Sequence, residues 1–303
     1  MKTPAAALLL ATLVAPTAFA QDSFFPIWGD EAEQLGYTLP KPYGISVSYM
    51  DMSNPITVES IKLTGAPMLD AIDVDARNAT FTGSNITVRA DVWVFPFMNV
   101  YGIIGYTQGE SKAKINSVSC DSSKFDRPNL LCGVINAVGD KLPENTMFNL
   151  DMDGGTYGIG TTLAGGVGNW FGLLDMNYTY TSISAIEGDI RTFVAAPRVG
   201  YRWEYEGGRE LRVFTGVMYQ KVDQFLSGDI ASLGLPSVVV AAADKIANDA
   251  GNEHAGFEVS QHANSNWNNV VGMQYAFNRD WDVLVEAGFG ARESFFIALG
   301  RRF

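Results

Sequence analysis

The sequence predicts an all-β chain, an antiparallel transmembrane β-barrel of about ten strands, with roughly eight to twelve as the range. Three observations carry this expectation. Apolar and polar residues alternate with a period of two from residue 43 to the end. The alternating segments come in pairs joined by very short turns, and much longer connections separate the pairs. After residue 20 the longest apolar run is VVVAAA at 238–243, far below the ~18 residues of a membrane helix. A closed barrel is the other structure that satisfies its backbone inside lipid.

The first twenty residues read as a leader. Lys2 gives a short positive region, AAALLLATLVA (5–15) is an apolar run of secretory length, and Ala18-Phe19-Ala20 fits the small-x-small cleavage rule. Cleavage is expected after Ala20, and residues 1–20 are excluded from fold reasoning. Residues 21–42 follow as a separate segment ahead of the barrel at 43–303. Within it, FFPIWGDEAEQLGYTLPKP (24–42) joins an aromatic cluster to a short helix signal, with Asp30 expected as N-cap and Glu33 three residues later. It is longer than a tether needs to be, so it is expected either to plug the periplasmic mouth or to form a loose periplasmic arm.

Ten strands are expected at 43–62, 77–95, 99–116, 148–164, 170–186, 190–204, 210–224, 257–277, 281–291 and 294–303. The short turns are PFMN (96–99), GGVGN (165–169), EGGRE (206–210) and NRD (278–280), with tighter connections near 187–189 and 292–293. The long connections are 63–76, 117–147 and 225–256. Aromatic residues mark each short turn: Phe95 and Phe97, Trp170 and Phe171, Trp203 and Tyr205, Phe277 and Trp281, then Phe303 at the terminus. They are expected to form the periplasmic girdle of a membrane belt. A second set, Tyr178, Tyr180, Phe193, Trp267, Phe289 and Phe295, lies eight to ten residues away along the strands. That offset spans about 23 Å at ~3.3 Å per residue and ~40° tilt, close to the ~25 Å of an apolar band. A soluble β-sandwich also alternates, but it has no reason to place aromatics at one depth.

The leader, paired strands, two aromatic belts and terminal Phe303 together resemble the porin-like outer-membrane β-barrel proteins of Gram-negative bacteria. The resemblance covers the architecture and singles out no functional family. It implies a cell-surface location in the outer membrane, with lipids and lipopolysaccharide as surroundings. It also implies that the barrel-assembly machinery reads the last strand, which in this class favours a terminal aromatic. Arg301, third from the end, departs from the usual apolar residue there and is expected to snorkel toward headgroups.

Parity assigns the lumen. If Ile86, Val88, Ala90, Val92 and Val94 face lipid, Arg89 and Asp91 face inward. The same rule sends in Asp175 with Asn177, Arg198, Arg202 and Glu204, Arg212, Gln274, Asp282 and Glu286, and Arg302. Five arginines thus meet five acids, which suggests a cross-linked polar interior more than a selectivity ring of one sign. In a narrow lumen such charges pair. The net charge of −12 argues against nucleic acid as a partner.

Cys120 and Cys132 form an even pair in an exported chain and are expected as a disulfide. Two of the long loops carry apolar helical stripes. One comprises Leu131, Val134, Ile135, Val138 and Leu142; the other comprises Val239, Val240, Ala243, Ile246 and Ala247, with Pro236 as a start and Gly251 as a stop. They are expected to pack together as a cap or, alternatively, to serve as a gate or adhesive surface.

Chemistry finds little support. His254 and His262, with Glu258 between, lie on one face of a strand about 26 Å apart at ~3.3 Å per residue, too far to share a metal. Neither histidine falls where the omptin-type proteases or the barrel phospholipases, among relatives of this architecture, require one. DMDGG (151–155) is a fragment of a calcium loop and reads as a turn or weak rim site. Lys112, Lys114, Lys124 and Arg127 are candidates for lipopolysaccharide phosphates. No catalytic residue, metal ligand or cofactor is assigned. The expected role is a non-catalytic, narrow or plugged passage for small solutes. The alternative is a surface adhesin or receptor that binds a host or cell-surface ligand through loops 117–147 and 225–256.

Overall fold

The computed structural model describes residues 24–124, 130–139, 147–183, 187–233, 235 and 237–303. The leader, its cleavage site, Arg127, Leu142 and Pro236 lie outside the described residues. Eleven strands form one antiparallel sheet: β1 Tyr43–Thr64, β2 Ile72–Phe95, β3 Met98–Cys120, β4 Met147–Val167, β5 Trp170–Ile183, β6 Glu187–Tyr205, β7 Arg209–Asp229, β8 Gly256–Ala263, β9 Trp267–Ala276, β10 Trp281–Phe289 and β11 Glu293–Arg302. The sheet closes because β11 pairs back onto β1, Gly44 opposite Arg302 and Met52 opposite Ser294. Tyr43 and Phe303 exchange backbone hydrogen bonds and stack their rings 6.4 Å apart. The last residue therefore helps close the barrel.

β8 and β9 correspond to the single strand expected at 257–277. They are two halves of one stave, separated at 264–266, and they have different neighbours. β9 pairs with β7 and β10, whereas β8 pairs with the upper ends of β7 and β1. Below the break the ring holds ten staves: β1 to β7, β9, β10 and β11. Above it β8 bypasses the short β10–β11 hairpin, leaving β1 to β7 and β8, a ring of eight. Barrel diameter rises with strand number, and about eight strands enclose little more than their own side chains. The molecule thus has a wide lower section and a narrow upper one.

The exterior of the lower section is apolar. Ile104, Ile159, Leu163, Val199, Val271, Met273, Ile297 and Leu299 are all exposed on the outer wall. A continuous apolar belt of this kind is a lipid-facing surface. Trp170, Trp203, Tyr205, Phe277 and Phe303 are exposed near the short turns, and Tyr178, Phe193, Trp267, Phe289 and Phe295 on the opposite margin. Phe95 and Phe97 stack at the rim 5.6 Å apart, and Trp281 lies under the Arg301 guanidinium. No helix among the described residues is long and apolar enough to cross a membrane.

Above the belt the pattern inverts, with apolar residues inside and polar ones outside. On β2 the lumen takes odd residues from Phe81 to Trp93, yet the buried residues higher up are Ile72 and Val74. The register shift at 77/80 changes the parity on β2, with Asn78 at φ 52° within it, whereas the shift at 75/76 places its extra residue, Asn116, on β3. A shift at 58/60 on β1 likewise brings Ile61 and Leu63 inside. Two expected loops are consequently shorter than 63–76 and 225–256. The strands continue beyond the membrane, so 63–76 shrinks to a 3-10 turn at Pro67–Ala71 with its flanks. The segment after β7 begins at Ile230 and ends at Ala255.

Among the described residues, three α-helices complete the fold: α1 Gly29–Gln34, α2 Leu130–Gly139 and α3 Ser237–Asp249. Asp30 is not the N-cap of α1. The helix starts two residues earlier than that, at Gly29 behind Trp28 in the left-handed region, and has no side-chain cap. DMDGG is neither a turn nor an ion loop, because residues 151–155 lie inside β4, where an extended backbone cannot wrap an ion.

Candidate functional site

The ten-stranded section encloses a chamber of about 1160 Å³. Its periplasmic end is lined partly by Leu35, Tyr37, Leu39 and Pro40 of the N-terminal segment. That segment lies across the mouth: Ile27 N donates to Val94 O at 2.9 Å, the Trp28 ring packs on Phe95 at 5.0 Å, and Lys41 pairs with Asp280 at 2.6 Å.

The lower half of the chamber carries the charges. Arg89 on β2 donates to Asn99 at 2.8 Å and lies 3.7 Å from Asp175 on β5. Its guanidinium stacks 3.5 Å from the centroid of the Tyr101 ring. The Tyr101 hydroxyl donates to Asp175 at 3.0 Å, and Thr162 donates to the same carboxylate at 2.6 Å. This arrangement needs Gly160, because a Cβ there would run into the Tyr101 ring. Asp91 accepts from Asn99 at 2.6 Å and from Arg302 at 2.8 Å. Arg302 also donates to the Lys41 carbonyl at 2.8 Å, which ties the last strand to the segment at the mouth.

Across the lumen, Arg198 on β6 makes a two-pronged bond to Glu286 on β10, 2.6 Å from Nε and 3.0 Å from Nη2. Both side chains are largely buried. Such a tie fixes the distance between non-adjacent staves, and each charge satisfies the other. Arg212 pairs with Glu210 and donates to Gln274 at 3.2 Å, while Gln274 donates to Asp282 at 2.7 Å. Arg202 and Glu204 meet at 3.2 Å along one strand, with Glu204 60% exposed, so they form a rim pair.

Phe171 does not belong to the girdle. Adjacent strand residues face opposite ways, so with Trp170 outside beside Tyr201, Phe171 points into the chamber and lies over Gly200. Several residues of the network were not in the sequence reading. Glu210 shares the parity of Arg212 and is legible on that ground, although it falls on the boundary between the expected turn 206–210 and strand 210–224. Asn99, Tyr101 and Thr162 are uncharged, so a search for opposite charges passes over them.

The upper half of the chamber is lined by Met50, Met52, Phe81, Met218 and Phe296. Over these lies a thin polar layer in which Ser111 donates to Gln261 at 3.2 Å and Gln261 to Gln224 at 3.1 Å. Beyond it the eight-stranded section is filled by an apolar core. Leu63, Leu69, Ile115, Leu226, Phe257 and Val259 are buried from the strands and turns, with Val239, Ala242, Ala243, Ile246 and Ala247 from α3. The α3 stripe thus includes Ala242, and Val240 is only partly buried against the core. On α2, Cys132 and Ile135 are buried whereas Val134 is 40% exposed, because the disulfide turns the Cys132 face inward. The Cys120–Cys132 bond joins the end of β3 to α2, and Asn136 brackets it by bonding both backbone groups of Cys120.

Of the remaining candidates, His262 lines the chamber, whereas His254 and Lys112 lie outside its network. His254 sits 3.9 Å from Asp244, and Lys112 pairs with Glu110 at 2.7 Å. Among the described residues, no cluster of three or more metal-ligating side chains occurs.

No family model matches the chain, and no curated protein matches it. Solved structures with a similar course of chain include the β domain of the Bordetella autotransporter BrkA, at 8% identity, 87% of this chain, 100% of that one and a TM-score of 0.42. The outer membrane protein OprG from Pseudomonas aeruginosa aligns at 12% identity over 88% of this chain and 98% of its own, with a TM-score of 0.42. The toluene transporter TbuX from Ralstonia pickettii aligns at 12% identity over 88% and 90%, with a TM-score of 0.31. The description of the chain as an outer-membrane type of barrel rests on its own closed strand pairing and apolar outer belt.

Proposed function

We propose that the chain is a non-catalytic protein of the bacterial outer membrane that forms a narrow, normally closed passage for small solutes. The observation that carries this reading is the chamber itself, which reaches the periplasmic mouth and stops against an apolar core. A barrel whose sole task was structural would have no need of a chamber of about 1160 Å³. In the lower half the paired arginines and acids largely neutralise one another, which suits a passage for small solutes better than an ion filter of one sign. In this reading the apolar core with α3 is the main closure, and residues 24–42 are a second, partial cover at the mouth. The adhesin alternative would draw on an exposed stripe along α3, and that stripe is buried.

The test is single-channel recording of the refolded chain in a planar bilayer. Beside it run one version lacking residues 21–40 and one in which Ser237–Asp249 is replaced by a short Gly/Ser linker. The reading expects silence from the first two and steady current from the third, once each is shown to be folded. Silence from a folded third version would remove the passage from consideration.

A further inference from the structure

We propose that the upper half of the chamber is a binding site for a small amphipathic organic anion, whose carboxylate sits on Arg292 and whose apolar body lies among the methionine and phenylalanine side chains below the seal. Arg292 lies in the tip joining β10 to β11, at the level where the ring steps from ten staves to eight. Strand parity does not reveal it, because the expected connection at 292–293 takes it out of the strands. The tip is clamped: Asn268 Nδ2 donates to the Arg292 carbonyl at 2.8 Å, and Arg292 N donates to Asn268 Oδ1 at 3.1 Å.

The side chain lines the chamber and is only 3% exposed. Among the described residues its one side-chain bond goes to a poor acceptor, the Met218 sulfur at 3.4 Å. Every other inward arginine named above is within 4.0 Å of a carboxylate. Among the described residues Arg292 has no such partner. A buried guanidinium without a counter-charge is strongly unfavourable, so its position calls for an anion from outside the chain.

The surroundings say what else that anion must carry. Met52 pairs with Ser294, and Met50 with Phe296, which places both methionines on the adjoining strand β1, just below Arg292. Phe81 lies flat over Gly83 and Gly109 on the same level, since a Cβ at either glycine would meet its ring. A bare inorganic anion would leave these side chains against water. A carboxylate on an apolar body of about ten heavy atoms satisfies both halves, with methionine adapting to its outline. The assignment shares only the chamber with the passage reading, and binding can be measured without any current.

The experiment is calorimetric titration of the full mature chain, refolded in detergent, with 4-phenylbutyrate. The neutral 4-phenylbutanol and inorganic phosphate serve as the two half-ligands. Saturable one-to-one binding of 4-phenylbutyrate is expected, with the alcohol and phosphate each at least tenfold weaker. Arg292→Met should weaken 4-phenylbutyrate at least tenfold while leaving the alcohol unchanged, and Arg292→Lys should retain most of the affinity. If Arg292→Met does not fold, Arg292→Gln carries the same expectation. No saturable binding to the wild-type chain overturns the proposal, as does equal binding of the alcohol, of phosphate, or of the arginine-free variants.

Discussion

Replacing Glu286 with alanine should destabilise the barrel far more than deleting the whole ion pair. The pair joins β6 to β10 across the lumen, and the side chains of Arg198 and Glu286 are 14% and 7% exposed. Removing the carboxylate takes away two charge-assisted hydrogen bonds and leaves the guanidinium buried beside the Phe214 ring, 5.8 Å away. Loss of one partner from a buried pair costs about 3–5 kcal/mol, most of it the stranded charge. The double replacement Arg198→Met with Glu286→Leu strands nothing and keeps the volume, so it should lie within about 1 kcal/mol of wild type. The assay is equilibrium urea unfolding of the refolded barrel in lipid vesicles, followed by tryptophan fluorescence. If Glu286→Ala alone stays within about 1 kcal/mol of wild type, the lumen solvates Arg198 freely, and the account of a narrow, internally paired chamber fails.

Two further outcomes follow from the same physics. Val199 is 52% exposed on the outer wall, between Trp203 and Phe193 on one strand. Val199→Arg should therefore cost about 2–4 kcal/mol in vesicle unfolding, as a charge near the bilayer centre does, and a cost near zero would place that face in water. Breaking the Cys120–Cys132 bond with Cys132→Ala should lower stability by about 3 kcal/mol, the worth of closing a loop of this size. The loss should appear as protease sensitivity at α2, with the membrane ring still resistant to dissociation in cold detergent.

The lower barrel was legible because lipid outside and polar chamber inside impose one rule on every strand. Arg89, Asp91, Asp175, Arg198, Asp282, Glu286 and Arg302 all line the chamber on the parity that the sequence displays. The upper section was not legible, because outside the membrane the rule reverses. Ile72 and Val74 carry the parity of lipid-facing Ile86 and Val88, yet they are core residues once the register shifts near Asn78 are known. Alternation also cannot report that β8 and β9 have different neighbours, since both halves alternate in the same way across 264–266. The step from ten staves to eight, and with it the seal and the position of Arg292, is a property of strand pairing. Nothing local in the sequence encodes it.

The account turns on a chamber that opens toward the periplasm and is closed toward the outside. Cysteine labelling in whole cells tests this most directly, because both native cysteines are joined in a disulfide. Thr192 lines the chamber and Asp249 ends α3 on the exposed surface, so Thr192→Cys and Asp249→Cys report on the two sides of the seal. A membrane-impermeant maleimide added to intact cells should label Asp249→Cys at once and leave Thr192→Cys unmodified. Thr192→Cys should then react when the outer membrane is permeabilised and reagent reaches the periplasm. Rapid labelling of Thr192→Cys from outside intact cells would mean that the apolar core does not close the barrel, and the account would be wrong at its centre.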